Sequence, residues 1–182
     1  MYTLITPPVA EPLSLSEVKQ ALRIDHDSDD SILEGMISTA RTFIERRLDR
    51  ALLTQAWSAR VEGVPQGPVP LRPGPVSSVL SVTVMDDDSN STLLLSEDWT
   101  LCGDDPQSLL ISAALMSNIK SVEVVFEAGA ATPNDIPADI LRAVYLLAAH
   151  YYEERELYRQ QRYVSVPLGV EALIEAYREM RL

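Results

Sequence analysis

Residues 14–48 read SLSEVKQALRIDHDSDDSILEGMISTARTFIERRL, and this stretch decides the fold. Ser14 and Glu17 have the spacing of a capping box, which predicts a short helix from Ser14 to Ile24. A second helix is predicted over residues 29–48, where apolar side chains recur every three or four positions: Ile32, Leu33, Met36, Ile37, Ala40, Phe43, Ile44 and Leu48. Because this stripe is too broad for one short helix to cover, it requires a further helical partner.

From residue 51 onward the sequence favours strands and turns. Short apolar runs separated by polar or proline-rich turns predict strands over residues 52–62, 76–85, 92–95, 99–101, 109–112 and 121–126. The chain becomes helical again at Pro137, with a long helix to about residue 161 and a last short helix over 170–181. The predicted fold class is therefore α+β: a helical bundle from the N- and C-terminal helices, residues 1–50 and 133–182, with an inserted small antiparallel β domain, residues 51–132.

The composition excludes several classes of function. The chain has 182 residues and a formal net charge of −12, from 27 acidic and 15 basic side chains. Proteins that bind free nucleic acid need a basic face, so this charge argues against that class. No apolar run is long enough to span a membrane, and residues 1–10 lack the basic and apolar regions of a signal peptide. A single cysteine, Cys102, cannot form an internal disulfide, so assembly in a reducing cytoplasm is expected.

The acidic run between the first two helices is a candidate metal site. Asp25, Asp27 and Asp29 have the spacing of the first ligands of a calcium loop. Such a loop also needs a glycine at its sixth position and a carboxylate at its twelfth, where this chain has Asp30 and Met36. We therefore expect these acidic residues to cap the second helix rather than to bind a metal.

His150 and Glu154 lie four residues apart on a predicted helix, a spacing found in metal sites. A metal centre needs three or four ligands, and the further candidates His26 and Cys102 fall in other predicted elements. The sequence also lacks a nucleophile elbow and a glycine-rich phosphate loop. It therefore predicts no catalytic, cofactor-binding or metal-binding residues and no enzyme, with a small metal-dependent hydrolase using His150 and Glu154 as the alternative. The acidic run at 86–88 is interpreted as a solvated hairpin tip rather than a recognition knob.

Five segments, in order, resemble the head–tail connector proteins of tailed phages and gene transfer agents, which are also called adaptor or head-completion proteins. The resemblance extends from about residue 4 to residue 182. The segments are LSEVKxxLRID at 15–25 with DDxxLxxMI at 29–37, RALLTQxW at 50–57, LRPGPVxSV at 71–79, IPxDIxxA at 136–143 with LxxHxYExRE at 147–156, and PxGVxxLIxxYR at 167–178.

The resemblance implies structural work in a virion rather than catalysis. Proteins of this family form a ring, typically of twelve copies, beneath the portal protein at one capsid vertex. The ring extends the DNA channel and provides the attachment platform for the next neck or tail protein. The implied partners are the portal, neighbouring copies in the ring and the next neck or tail protein, and the implied location is the virion neck after assembly in the bacterial cytoplasm. The net acidity suits a channel wall that encloses DNA without sequence-specific binding, because like charges repel.

The C-terminal segment is the candidate site. An amphipathic helix of about twelve residues after the break at Pro167 and Gly169 is not stable alone in water, so it must dock on a surface. The resemblance implies that this surface is the portal. The candidate portal-binding residues are Val170, Leu173, Ile174, Tyr177, Arg178 and Met180. If the segment docks there, deletion of residues 168–182 is expected to leave a folded protein.

Overall fold

A computed structural model describes residues 1–65, 67–88, 90–103, 107–112, 119–154 and 167–178. These ranges contain four α-helices and two antiparallel sheets, which confirms the predicted α+β class. The chain divides into two compact units, one formed by residues 1–9 and 53–130 and the other by residues 10–52 and 131–182. Within the described ranges, every helix is too short or too polar to cross a bilayer.

The described part of the strand unit contains eight strands in two sheets. They are β1 (Tyr2–Thr6), β2 (Gln55–Glu62), β3 (Val69–Pro70), β4 (Val76–Asp86), β5 (Ser91–Leu93), β6 (Trp99–Cys102), β7 (Ser108–Ile111) and β8 (Ile119–Ala128). The larger sheet has the order β1-β2-β8-β4-β5, and the smaller sheet has the order β3-β7-β6. All pairings between these strands are antiparallel.

Residues 1–9 correct the predicted domain boundaries, which assigned them to the helical bundle. They lie in the strand unit, where β1 pairs with β2 and places Leu4 opposite Trp57. The hydroxyl of Tyr2 also donates a 2.7 Å hydrogen bond to the carbonyl oxygen of Pro70 in the smaller sheet. The strand escaped prediction because all five of its residues are exposed, so it has no apolar alternation to mark a buried face.

The core of the strand unit lies on one face of β8. Val122, Val124, Phe126 and Ala128 alternate along this face and are all fully buried. On the opposite face, Glu123 accepts a 2.7 Å hydrogen bond from the Ser58 hydroxyl. Directly after the strand comes Gly129, whose φ of +105° belongs to a region that favours glycine.

The helical unit contains α1 (Leu15–Leu22), α2 (Asp30–Leu48), α3 (Ala138–Glu153) and α4 (Leu168–Ile174). The predicted capping box is present, since the Glu17 amide donates to the Ser14 hydroxyl and the Glu17 carboxylate accepts from the Ser14 amide. α2 packs along α3, and α3 packs along α4. The broad apolar stripe of α2 therefore finds the further helical partner that it requires. The buried side chains of these two helices include Leu33, Ile37, Ile44, Leu48, Ile140, Val144 and Leu147.

The acidic run before α2 does not cap the helix in the way predicted. Asp29 holds the N-cap position but makes no side-chain capping hydrogen bond, and its carboxylate accepts a 2.7 Å bond from the Tyr152 hydroxyl. Asp27 and Asp30 each lie 2.6 Å from the ammonium of Lys19. The run therefore ties α1 and α3 to the start of α2, because its partners lie elsewhere in the unit.

A buried arginine holds two chain segments against α2. The Arg41 guanidinium donates a 2.8 Å hydrogen bond to the Glu11 carboxylate and a 2.7 Å hydrogen bond to the Glu45 carboxylate. Glu45 also accepts a 2.9 Å hydrogen bond from the Leu52 amide. Burial lowers the pKa of Arg41, but its bonds to Glu11 and Glu45 outweigh this effect and raise it. These hydrogen bonds thus fix Glu11 and Leu52 in position against α2.

The two C-terminal helices differ in extent from their predictions. α3 ends at Glu153 in the described chain, and the predicted continuation over residues 155–161 lies outside the described residues. α4 begins two residues earlier than predicted, at Leu168, with the Val170 amide donating to the Pro167 carbonyl oxygen at 2.9 Å. It ends at Ile174 and continues as one 3₁₀ turn, Glu175–Tyr177, while residues 179–181 lie outside the described residues.

Candidate functional site at the C-terminal helix

α4 is an amphipathic helix that docks on its own unit. Its start follows from Pro167, whose fixed φ suits the position before a first helical turn. Val170 and Ile174 are four residues apart, lie on the same face and are both fully buried. Because α4 packs along α3, these two side chains form part of the core of the helical unit.

Polar contacts hold the other sides of this segment. Arg47 on α2 and Glu171 on α4 form an ion pair with a shortest distance of 3.0 Å. The Tyr177 hydroxyl donates to the Asp139 carboxylate on α3 at 3.4 Å. Arg178 pairs with Glu175 at 3.1 Å, within the same segment. These groups are all partly or largely open to water, so each contact contributes at most about 1 kcal/mol.

The structure separates the candidate portal-binding residues into two groups. Val170 and Ile174 are buried within the chain itself, so they can contact another protein only if α4 leaves α3. Leu173 and Tyr177 are half-buried and Arg178 is exposed, so these three have surface to offer. Met180 lies outside the described residues.

Leu168 is an exposed apolar residue of this segment that the sequence analysis missed. It is the first residue of α4, and 88% of its surface is exposed. An α-helix turns by about 100° per residue, so Leu168 lies on the side of α4 that faces away from Val170. The signal in the sequence was an apolar residue directly after Pro167, two residues before the stripe that begins at Val170.

The alternative site at His150 and Glu154 has only two members in the described chain. The His150 Nε2 atom lies 3.3 Å from the Glu154 carboxylate, one turn further along α3. Among the described residues, no group of three or more His, Cys, Asp or Glu side chains could hold a metal ion. The pair therefore gives no support to a hydrolase.

Three comparisons with known proteins bear on the function. A family model described as "Phage gp6-like head-tail connector protein" matches residues 12–91, which include α1, α2 and the first strands after them. A comparison with curated proteins found no match.

Solved structures resemble the chain over its whole length. A chain in the neck of an empty GTA particle, computed with C6 symmetry, has a TM-score of 0.81 and 27% sequence identity, and the match covers 100% of this chain and 97% of that chain. A chain in the virion of a native gene transfer agent (GTA) particle gives the same values. A third, in the neck of a native GTA particle computed with C12 symmetry, has a TM-score of 0.78 at 26% identity, with the same coverage. The matched family and structures are structural parts of a particle, not enzymes.

Proposed function

From this confirmed resemblance to head–tail connector proteins, we propose that the chain forms a ring beneath a portal protein, extends the DNA channel and provides the attachment platform for the next neck or tail protein. The observation that carries the proposal is the structural match to a chain of a GTA neck, which covers 100% of this chain and 97% of that chain. A match of this extent includes both units of this chain.

We propose twelve copies in the ring. One of the similar chains belongs to a neck that was computed with C12 symmetry. A ring of twelve identical subunits has this symmetry. In such a ring, each copy contacts its neighbours through two different surfaces, because a rotation other than a twofold gives heterologous contacts. The same assembly places the protein in the virion neck, with assembly in the host cytoplasm.

The charge distribution supports passage of DNA without sequence-specific binding. The stretch from residue 73 to residue 119 contains seven acidic side chains and no lysine or arginine. Acidic side chains repel phosphates instead of releasing their counterions, which suits the passage of DNA without binding. We also propose that the helical unit is the bundle of the connector and that the strand unit is a domain inserted into it.

We propose that the portal binds the C-terminal segment. Leu173, Tyr177 and Arg178 supply the surface that this contact needs. Val170, Ile174 and Met180 complete the candidate set: the first two hold α4 on its own unit, and the third lies outside the described residues. The chemistry is that of a helix whose apolar residues bind a groove on the partner.

Binding to portal-containing heads tests this function. Purified chain is mixed with DNA-filled heads that carry the portal but lack the chain, and bound protein is counted after sedimentation. We expect saturation at a copy number that fits one ring per head, and loss of binding with Leu173→Asp. Leu110→Asp, an exposed leucine changed in the strand unit, is the matched control and should bind normally. Binding at many sites per head, or to heads without a portal, would contradict the proposal.

A further inference from the structure

Three large apolar side chains lie exposed at one end of the larger sheet. Leu80 on β4, Leu93 on β5 and Leu95 just after β5 have 55%, 64% and 62% of their surface exposed. We call these three residues the leucine edge. Leu93 pairs with Thr83, and the Leu94 amide donates to the Val82 carbonyl oxygen. If this register continues by one residue, Leu95 lies opposite Ser81, which follows Leu80 at a register irregularity of β4. A cluster of this kind marks an interaction surface more often than scattered single leucines do.

The backbone at the leucine edge is also open to a further strand. Among the described strands, β5 is the outermost one of the larger sheet, and it pairs with β4. Because Leu94 bonds to Val82, antiparallel alternation turns the peptide groups of Thr92 and Leu94 toward β4 and those of Ser91 and Leu93 away from it. The Leu95 amide bonds instead to the Asp98 carboxylate at 2.8 Å, which ends the open edge there. An added strand therefore has only a short register available, over residues 91–93.

The charges that flank the edge define the chemistry of its occupant. Asp87 and Asp88 are exposed in the turn before β5, and Glu97 is exposed after it. Asp86 is committed to this turn, since hydrogen bonds from the Asn90 side chain and amide lower its pKa. Both ends of the short edge thus carry negative charge, with apolar side chains between them.

We propose that β5 and the leucine edge bind an extended segment of another protein, with alternating apolar side chains and lysine or arginine at its ends. The segment adds a strand to the open side of β5, its apolar side chains pack on the leucine edge, and its basic ends meet Asp87, Asp88 and Glu97. This inference rests on the proposed function only for the location of that protein, which would be a neighbouring component of the neck.

A second copy of this chain fits the edge less well. Each copy carries the same acidic flanks, so β5 of one copy repels β5 of another. The other open edge of the sheet, β1, has the sequence YTLIT and carries no charged side chain to complement them. Charge complementarity therefore favours a basic segment from a different protein.

A synthetic peptide tests the site on the free, full-length chain. The probe is fluorescein-labelled Lys-Lys-Thr-Val-Thr-Val-Thr-Lys-Lys, with one control peptide in which glutamate replaces lysine and another with proline at the centre. Fluorescence anisotropy gives the affinity at about 50 mM salt, where charges are weakly screened, and at about 300 mM salt, where they are strongly screened. We expect binding of the lysine peptide that weakens with salt, and at least about tenfold weaker binding of both control peptides.

Matched variants locate the binding. Leu93→Asp should weaken binding at least about tenfold, whereas Leu110→Asp should not change it, because Leu110 is 45% exposed on β7, the central strand of the smaller sheet. Replacing Asp87 and Asp88 with lysine should reduce both affinity and salt dependence, while Asp25→Lys in the helical unit is the charge control. Leu95→Asp serves as a second edge variant if the melting curve of Leu93→Asp shows that it is unfolded.

Three results would overturn the inference. One is an absence of binding, or equal binding of the glutamate peptide. Another is an equal effect of Leu93→Asp and Leu110→Asp. The third is concentration-dependent self-association in sedimentation that Leu93→Asp abolishes, which would make the occupant a second copy. The peptide experiment contains no portal and no head, so its failure leaves the ring proposal standing, whereas failure of wild-type chain to bind heads would remove the ring proposal alone.

Discussion

Replacing Ile174 with alanine and Leu173 with aspartate tests two faces of α4 separately. Ile174 is fully buried against its own unit, so its truncation removes packing and leaves a cavity. The expected cost is about 2–5 kcal/mol, which for a chain of this size lowers the melting temperature by roughly 4–20 °C. Leu173 is only half-buried, so Leu173→Asp should cost about 1 kcal/mol or less in stability.

Binding to portal-containing heads should show the reverse order. Leu173→Asp places a carboxylate in the proposed groove and should abolish binding, because an unpaired charge is costly to bury. Ile174→Ala, assayed well below its melting temperature, should retain most binding. Circular dichroism melting and head sedimentation measure the two quantities on the same preparations.

The same reasoning changes the expectation for the whole segment. The sequence favoured an anchor whose deletion leaves a folded protein with little loss of melting temperature. With Val170 and Ile174 in the core, deletion of residues 168–182 should instead lower the melting temperature measurably. If Ile174→Ala leaves the melting temperature unchanged, α4 does not stabilise its own unit, and the assignment of these two side chains to the core is refuted.

Three further perturbations have defined outcomes. Gly129→Ala should destabilise the strand unit by about 3 kcal/mol or more, because the added Cβ would meet the backbone of Leu53, 2.5 Å from its carbonyl carbon, at a φ of +105°; thermal melting measures this. The pKa of Asp27 is lowered, chiefly because its carboxylate accepts a hydrogen bond from Lys19. The ionised Asp27 therefore stabilises the folded state above the unfolded pKa of about 3.9, and this stabilisation is lost as the pH falls through the folded pKa. Lys19→Met should therefore reduce the steepness of acid unfolding below about pH 4, whereas equal slopes would contradict this link. Finally, if the proposed ring needs the portal as a template, the free chain should be mainly monomeric by light scattering at micromolar concentration. A stable free dodecamer would contradict the template requirement.

Local signals explain what the sequence predicted correctly. The capping box at Ser14 and Glu17 and the apolar stripe of α2 need only near neighbours, so the bounds of both helices follow closely. The long strand β8 was predicted in part, over residues 121–126 of its full extent, Ile119–Ala128, because apolar side chains dominate it. In each of these helices and strands, the residues that predict the secondary structure lie within the element itself.

Features that depend on distant partners could not be predicted. β1 has no buried face of its own and is specified by its pairing with β2. The acidic side chains before α2 were expected to cap the helix. Instead, they bind Lys19 and Tyr152, which the fold brings close to them. For α4, amphipathicity gave the correct apolar face, yet the same pattern suits docking on the chain's own core and docking on a partner.

A cryo-EM reconstruction of the neck of a particle assembled with this chain tests the central claim most directly. The account predicts a ring of twelve copies between the portal and the next neck component, with Leu173, Tyr177 and Arg178 of each copy against the portal. Density for the chain at another location in the particle, or a neck in which the portal contacts the next component without an intervening ring, would contradict it.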